Sequence, residues 1–178
     1  MPLEIEVKCP LPKGFTQLRK KLKKLGAKFE GLDHEHNTRL EGAGGSLMKK
    51  KRALRVRDLG DKCLVTLKEK RASRHAKVRE EIQFESENAK TVLALLEKLG
   101  YRPIWIYEKV RENWHLGNCH ICLDKLPHLG NYAEIEGPSE KAVLAFARKL
   151  ELPKEKFTTQ AYPDLVKKKF GRIRNLIF

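Results

Sequence analysis

The sequence predicts an α+β fold: a closed or nearly closed eight-stranded antiparallel β-barrel with helices packed outside. Three observations carry this reading. Eight segments alternate polar and apolar residues with a period of two, whereas three longer ones repeat apolar residues at helical spacing. Several neighbouring strand segments are joined by short breaks containing Gly, Asn or Asp, of hairpin length. Of the 178 residues, 40% are apolar, enough for one domain with a true core. Residues 1–178 are therefore read as a single domain made of two related halves, about 1–75 and 76–178.

In chain order, EIEVK opens a strand over 3–9. A helix over 15–25 gathers Phe15, Leu18, Leu22 and Leu25 on one stripe among basic residues and stops at Gly26. A strand over 34–40, a flexible loop at 41–46 (EGAGGS) and strands over 53–57 and 62–70, joined by Asp58-Leu59-Gly60-Asp61, come next. The strand 77–84 leads to a helix over 87–99, with Ser86 as its cap and Gly100 as its stop. Strands over 104–113, 119–124 and 131–136 turn at Gly117-Asn118 and at His128–Asn131. A helix over 139–150 follows Gly137-Pro138-Ser139 and ends before Pro153, and a shorter one spans 162–169. An acidic strand, a short link and a helix recur in that order at EIEVK, EEIQF and AEIEG. Their unequal spacing excludes a solenoid, and the hairpin links exclude a doubly wound parallel sheet.

The formal charge of +15 favours polyanionic partners: nucleic acid, an acidic membrane surface or a polyphosphate. No apolar run is long enough to span a bilayer and the first eight residues lack a signal-peptide segment, so a cytoplasmic protein without a membrane partner is expected. The pair Cys119 and Cys122 lies in a strand, where residues three apart point to opposite faces, which argues against a structural zinc. His34, His36, His75, His115, His120 and His128 form no metal motif in the sequence.

The informative signal is which strand face carries charge. One face collects nine bases, Lys8, Arg55, Arg57, Lys68, Lys70, Lys77, Arg79, Lys109 and Arg111, and six acids, Glu4, Glu6, Glu81, Asp124, Glu134 and Glu136. Few neutral polar residues share it. An ordinary wet sheet face would mix in Ser, Thr, Asn and Gln; if the sheet curls with its apolar face under the helices, these charges instead line a cavity. The bases suit phosphate oxygens, and the carboxylates become useful where Mg²⁺ or Mn²⁺ joins them to phosphate. Burying so many charges is costly without pairing and a ligand.

At EIEVK the chain resembles the CYTH family of triphosphate tunnel metalloenzymes, which includes class IV adenylyl cyclases of the CyaB type, thiamine triphosphatases and inorganic tripolyphosphatases. The family's ExExK matches Glu4, Glu6 and Lys8, and LRVR (54–57), TLKEK (66–70), KVREEIQF (77–84), EKVREN (108–113), CLD (122–124) and GNYAEIEG (130–137) follow in the expected order. The resemblance implies catalytic roles for Glu4, Glu6, Lys8, Glu134 and Glu136. It implies metal binding by Glu4, Glu6, Glu134 and Glu136, with Glu81 and Asp124 as further acidic groups. Arg55, Arg57, Lys68, Arg79, Lys109 and Arg111 would surround the triphosphate. The strand 34–40 departs from the aromatic pattern common in the family, and in TTQAYPDLV Ala161 replaces the serine that relatives place before the tyrosine corresponding to Tyr162.

The expected function is accordingly that of a divalent-metal-dependent enzyme acting on ATP or another triphosphate. The leading reaction is cyclisation of ATP to cyclic AMP and pyrophosphate, and the alternative is hydrolysis of an inorganic, thiamine or nucleoside triphosphate to orthophosphate. A non-enzymatic triphosphate-binding module and a nucleic-acid-binding protein using Lys49–Arg52 and Lys167–Lys169 are further alternatives. The sequence is compatible with a monomer or a homodimer.

Overall fold

The computed structural model describes residues 3–71, 77–172 and 174–178, with side chains described for all of these except 3, 4, 71, 77 and 78. His75 and the side chains of Glu4 and Lys77 lie outside the described residues. Eight strands form: β1 (Leu3–Pro10), β2 (Lys28–Glu41), β3 (Arg52–Asp58), β4 (Cys63–Arg71), β5 (Lys77–Ser86), β6 (Arg102–Leu116), β7 (Cys119–Leu126) and β8 (Gly130–Gly137). The α-helices are α1 (Thr16–Lys24), α2 (Ser46–Lys49), α3 (Ala89–Lys98), α4 (Glu140–Lys149) and α5 (Tyr162–Phe170). The α+β class and the antiparallel eight-stranded sheet are as the sequence predicts.

Neighbouring strands pair in the order β1-β5-β4-β3-β2-β6-β7-β8, and β1 also pairs with β8. Pairing does not run the full height of the sheet. The β1–β5 ladder covers only Leu3–Glu6, and β7 meets β6 only from Val110 onward. Beside the first half of β6 lies the segment 174–178 instead: Leu176 pairs in parallel with Tyr107, and the Trp105 indole N–H donates to the Arg174 carbonyl at 2.8 Å. The three strands that share the acidic sequence echo, β5, β1 and β8, stand side by side.

Alternation puts the apolar residues of these strands outward, where the helices cover them. Leu18 and Leu22 of α1 and Val143 and Ala147 of α4 pack with Val7, Trp114, Ile121, Leu123 and Ile135. α2 and α3 cover Leu54, Val56 and Val65 of β3 and β4, whereas a third cluster, of Trp105, Tyr107 and Leu176 with Tyr162 and Val166 of α5, lies on the inner side at one end of the cavity. Each wholly buried aliphatic side chain contributes about 1.5–3 kcal/mol relative to exposure, so this outer shell holds the polar interior in place.

Three expectations need correction. β2 and β6 are longer than their alternation suggests, because they pair along almost their whole length and the ladder overrides weak local pattern. The segment 41–46 is not a free loop: the Glu41 carboxylate accepts hydrogen bonds from the backbone N–H groups of Gly42, Leu47 and Met48 and so fixes the start of α2. β5 continues through Ser86, and Asn88 caps α3 by accepting from Thr91 N–H at 3.0 Å.

Gly137 ends β8 directly beneath α4. A Cβ there would stand 2.7 Å from Cys119 Sγ and 3.1 Å from Val143 Cγ2, both in the outer core. Gly137→Ala is expected to lower unfolding stability by about 1–3 kcal/mol through overpacking. Urea denaturation checks this, and an unchanged midpoint would disprove the tight fit.

Candidate active site

The inward positions of the strands meet in one cavity with about 670 Å³ of empty space, its open parts included. Its lining holds eight cations, Lys8, Arg39, Arg55, Arg57, Lys68, Arg79, Lys109 and Arg111, and three carboxylates, Glu6, Glu134 and Glu136. Arg55, Arg57, Lys68, Arg111 and Glu136 also border a wider mouth, reached by Glu30, Asp33, Glu81, Glu85, His115 and His120. The opposite end is filled by aromatics. Trp105 stacks on Tyr107 at 4.1 Å between centroids, and Tyr162, at the start of α5, meets Tyr132 edge-on at 5.5 Å.

The carboxylates converge because of strand register. Glu6 lies directly opposite Glu136 across the β1–β8 ladder, and Lys8 opposite Glu134. One oxygen from each of Glu6, Glu134 and Glu136 falls within 4.8 Å of the other two. Like charges paired across a ladder repel, and local cations offset this. Lys8 donates to Glu134 and lies 3.8 Å from Glu6, while Arg111 also donates to Glu134. Three hard oxygen donors converging on one point suit Mg²⁺ or Mn²⁺.

Lys8 sits 4.2 Å above the Tyr162 ring. Burial works against its charge, but Glu134 and Glu6 outweigh it and raise the ammonium pKa above its usual value. At Glu136, too, burial favours the neutral acid, but nearby His120, 3.9 Å away, together with Arg111 and Lys68, prevails and lowers its pKa.

The basic wall is anchored by two further carboxylates. Asp124 accepts from Arg111 Nε at 2.6 Å, Arg111 Nη2 at 2.7 Å, Lys109 at 3.1 Å and the Tyr162 hydroxyl at 2.7 Å. With both oxygens engaged, it stands outside the acidic trio and acts as an organiser of cations. Glu81 likewise stands outside the trio, paired with Lys68 at 2.9 Å near the wide mouth. Glu35, wholly buried on β2, lies 3.1 Å from Arg57 and 3.4 Å from Lys109 and is also ion-paired with Arg111. Burial would raise its pKa, yet Lys109, Arg57 and Arg111 bring it down to about 2.

The cavity thus collects Glu6, Lys8, Arg55, Arg57, Lys68, Arg79, Lys109, Arg111, Glu134 and Glu136, all expected from the sequence. It adds Arg39, Tyr107 and Tyr162, with Glu35 and Asn37 beneath the wall; Asn37 accepts from Arg57 Nε at 3.2 Å. The β2 residues were hidden because their outward neighbours, His34, His36 and Thr38, are polar too, which erases the alternation. The Nε atoms of Arg39, Arg55 and Arg79 are buried without a hydrogen-bond partner. A buried donor left unpaired costs about 1–3 kcal/mol, so three guanidinium groups facing one cavity favour an anion with many oxygens.

The class of protein is defined by this antiparallel sheet, whose interior sets a wall of cations against a carboxylate trio. Residues 2–162 match the CYTH domain, and the chain belongs to that family, which implies a triphosphate ligand and a divalent metal. A protein of Methanocaldococcus jannaschii named "Putative adenylate cyclase" is 27% identical over 134 residues, 75% of this chain and 76% of that one. The solved structure of the PH1012 protein from Pyrococcus horikoshii superposes with a TM-score of 0.78 at 26% identity, covering 91% of this chain and 98% of the other. A Hippeastrum structure, described as a putative adenylyl cyclase with a dominant triphosphatase activity, shares the fold with a TM-score of 0.68 at 20% identity over 98% of both chains.

Glu35→Gln removes the charge that Arg57, Lys109 and Arg111 share and is expected to destabilise the ligand-free protein by about 3–5 kcal/mol. Tripolyphosphate should then raise the melting temperature more in the variant than in the parent chain. Because the folded-state pKa is depressed, the Glu35 contribution is complete above the ordinary carboxylate range. It fades as pH falls from about 4.5 toward about 2. Thermal melts with and without the anion, and across that pH window, check both statements.

Proposed function

We propose that this protein is a Mg²⁺- or Mn²⁺-dependent enzyme that hydrolyses the terminal phosphoanhydride of a triphosphate. The observation that carries the reading is the facing of the Glu6–Glu134–Glu136 trio and the cationic wall across one cavity. Glu6, Glu134 and Glu136 would hold the metal, with Glu4 joining them on the strength of the ExExK pattern. A divalent ion bound there supplies Lewis acidity toward phosphate oxygens and lowers the pKa of water.

The chain's own groups do the rest. Arg55, Arg57, Lys68, Arg79, Lys109 and Arg111 bind and orient the phosphate chain and stabilise the charge that develops on the departing phosphate. Lys8, kept cationic between Glu134 and Glu6, directs a phosphate oxygen toward the trio. Asp124 and Glu35 hold the wall rigid, so that the anion meets donors already in position.

Hydrolysis is favoured over cyclisation by the wide mouth, where an organic group would project. Among its described lining residues there is no Phe, Tyr or Trp to hold a nucleoside. Cyclisation needs the ribose 3′ hydroxyl fixed against the α phosphorus, whereas attack on the terminal phosphorus does not. The cyclase reading is the second choice, supported by the name of the M. jannaschii relative.

Incubation with Mg²⁺ or Mn²⁺ and ATP, tripolyphosphate or thiamine triphosphate, with products resolved, tests the choice. Orthophosphate is expected; cyclic AMP with pyrophosphate would select the cyclase, and no turnover with any of them would overturn both. Glu136→Gln should raise the Mg²⁺ concentration for half-maximal activity at least about tenfold. Arg57→Ala should weaken tripolyphosphate binding, measured by calorimetry, by about 1.5–3 kcal/mol, the range for a charged hydrogen bond.

A further inference from the structure

We infer that β5 carries an interaction surface: the free edge of residues 81–86 pairs antiparallel with the same segment of a second copy of this chain, about a two-fold axis at Gln83. On one side β4 accompanies β5 from Val78 to Ser86, whereas on the other the β1 ladder stops at Glu80. Among the described residues no backbone hydrogen bond reaches residues 81–86 from that second side. This stretch therefore presents every second N–H and C=O outward, and a strand is the element that satisfies such a row in one piece. Ile82, Gln83, Phe84 and Glu85 are all exposed, Ile82 at 52% and Phe84 at 56%. These two apolar side chains share the outer face, opposite Leu67 and Val65 of β4.

The residues of the edge select a second copy as its occupant. Natural edges are blunted by lysine, proline or a bulge, yet of the 38 Lys and Arg and 8 Pro in the chain none falls within residues 80–86. The register with β4 runs through this stretch without a shift. A two-fold axis at Gln83 sets Ile82 of each copy opposite Phe84 of the other, which gives two apolar cross-strand pairs on the outer face. The residue on the axis meets its own counterpart, and a charged side chain would resist this. Gln83 is neutral: its Oε1 accepts from the Thr66 hydroxyl at 3.0 Å, and its amide N–H groups, without an acceptor among the described residues, can donate across the axis. Glu81 comes opposite Glu85, but each arrives with a lysine of its own chain, Lys68 at 2.9 Å and Lys62 at 3.3 Å. Glu81, Gln83 and Glu85 also line the wide mouth, so the pairing brings two tunnel mouths together at the axis. A ladder this short belongs with the weaker interfaces, below about 1,200 Å², and concentration then sets the balance of monomer and dimer.

Sedimentation equilibrium of the full-length chain over a range of concentrations, alongside oxidative cross-linking of variants with one added cysteine, tests the inference. The parent chain is expected to form a dimer. Ile82→Lys combined with Phe84→Lys, both at exposed positions, should raise the dimer dissociation constant at least about tenfold, because it removes both apolar pairs and sets like charges opposite one another. At low protein concentration its melting temperature and its tripolyphosphate binding should match the parent's. Gln83→Cys should cross-link to its own counterpart, since directly opposed Cα atoms about 4.5–5.5 Å apart suit a disulfide, whereas Glu85→Cys, displaced from the axis, should not. The native cysteines are all buried and do not compete. A monomer up to millimolar concentration, a dimer that both lysines leave intact, or equal cross-linking of the Gln83→Cys and Glu85→Cys chains would overturn the inference. Because the readout is association, its failure is distinct from failure of the triphosphatase reading.

Discussion

The structure depends on holding like charges close together inside a sheet whose apolar side faces outward. Eight cations share one lining, an arrangement that would drive itself apart at interior dielectric. Asp124 and Glu35 prevent this by each bonding to several of them. Neither carboxylate needs to touch a substrate to matter. Their contribution is to convert a repulsive cluster into a fixed set of donors with spare hydrogen-bonding capacity, which is the state an incoming anion exploits.

That division of labour separates two kinds of acid in the cavity. Asp124 and Glu35 are each ion-paired with several guanidinium and ammonium groups, whereas Glu6, Glu134 and Glu136 crowd one another around a common point that suits a hard cation. The residue types are identical, and only strand register assigns the roles. Asp124 sits opposite Tyr132 on β8 and beside Arg111 on β6, away from the Glu6–Glu136 rung.

This explains what could be read from the sequence and what could not. Period-two alternation in EIEVK, ALRVR and AEIEG placed Glu6, Arg55, Arg57, Glu134 and Glu136 on the inner face correctly, because each has apolar neighbours that identify the outer face. Around Glu35 and Arg39 the outer neighbours are His34, His36 and Thr38, so no local contrast existed, and only the pairing of β2 with β6 turns that face inward. Helix boundaries were read closely, but the Glu41 carboxylate that organises α2 acts through backbone N–H groups and has no sequence pattern of its own.

The segment 174–178 occupies the flank of β6 that β7 does not reach, with Leu176 exchanging backbone hydrogen bonds with Ile106 and Glu108. Its removal would bare a run of unsatisfied strand N–H and C=O groups beside Ile104, which is 43% exposed. Bare edges of this kind recruit the edges of other molecules. A shortened chain would therefore fail first by self-association, with the tunnel chemistry still assembled inside each molecule.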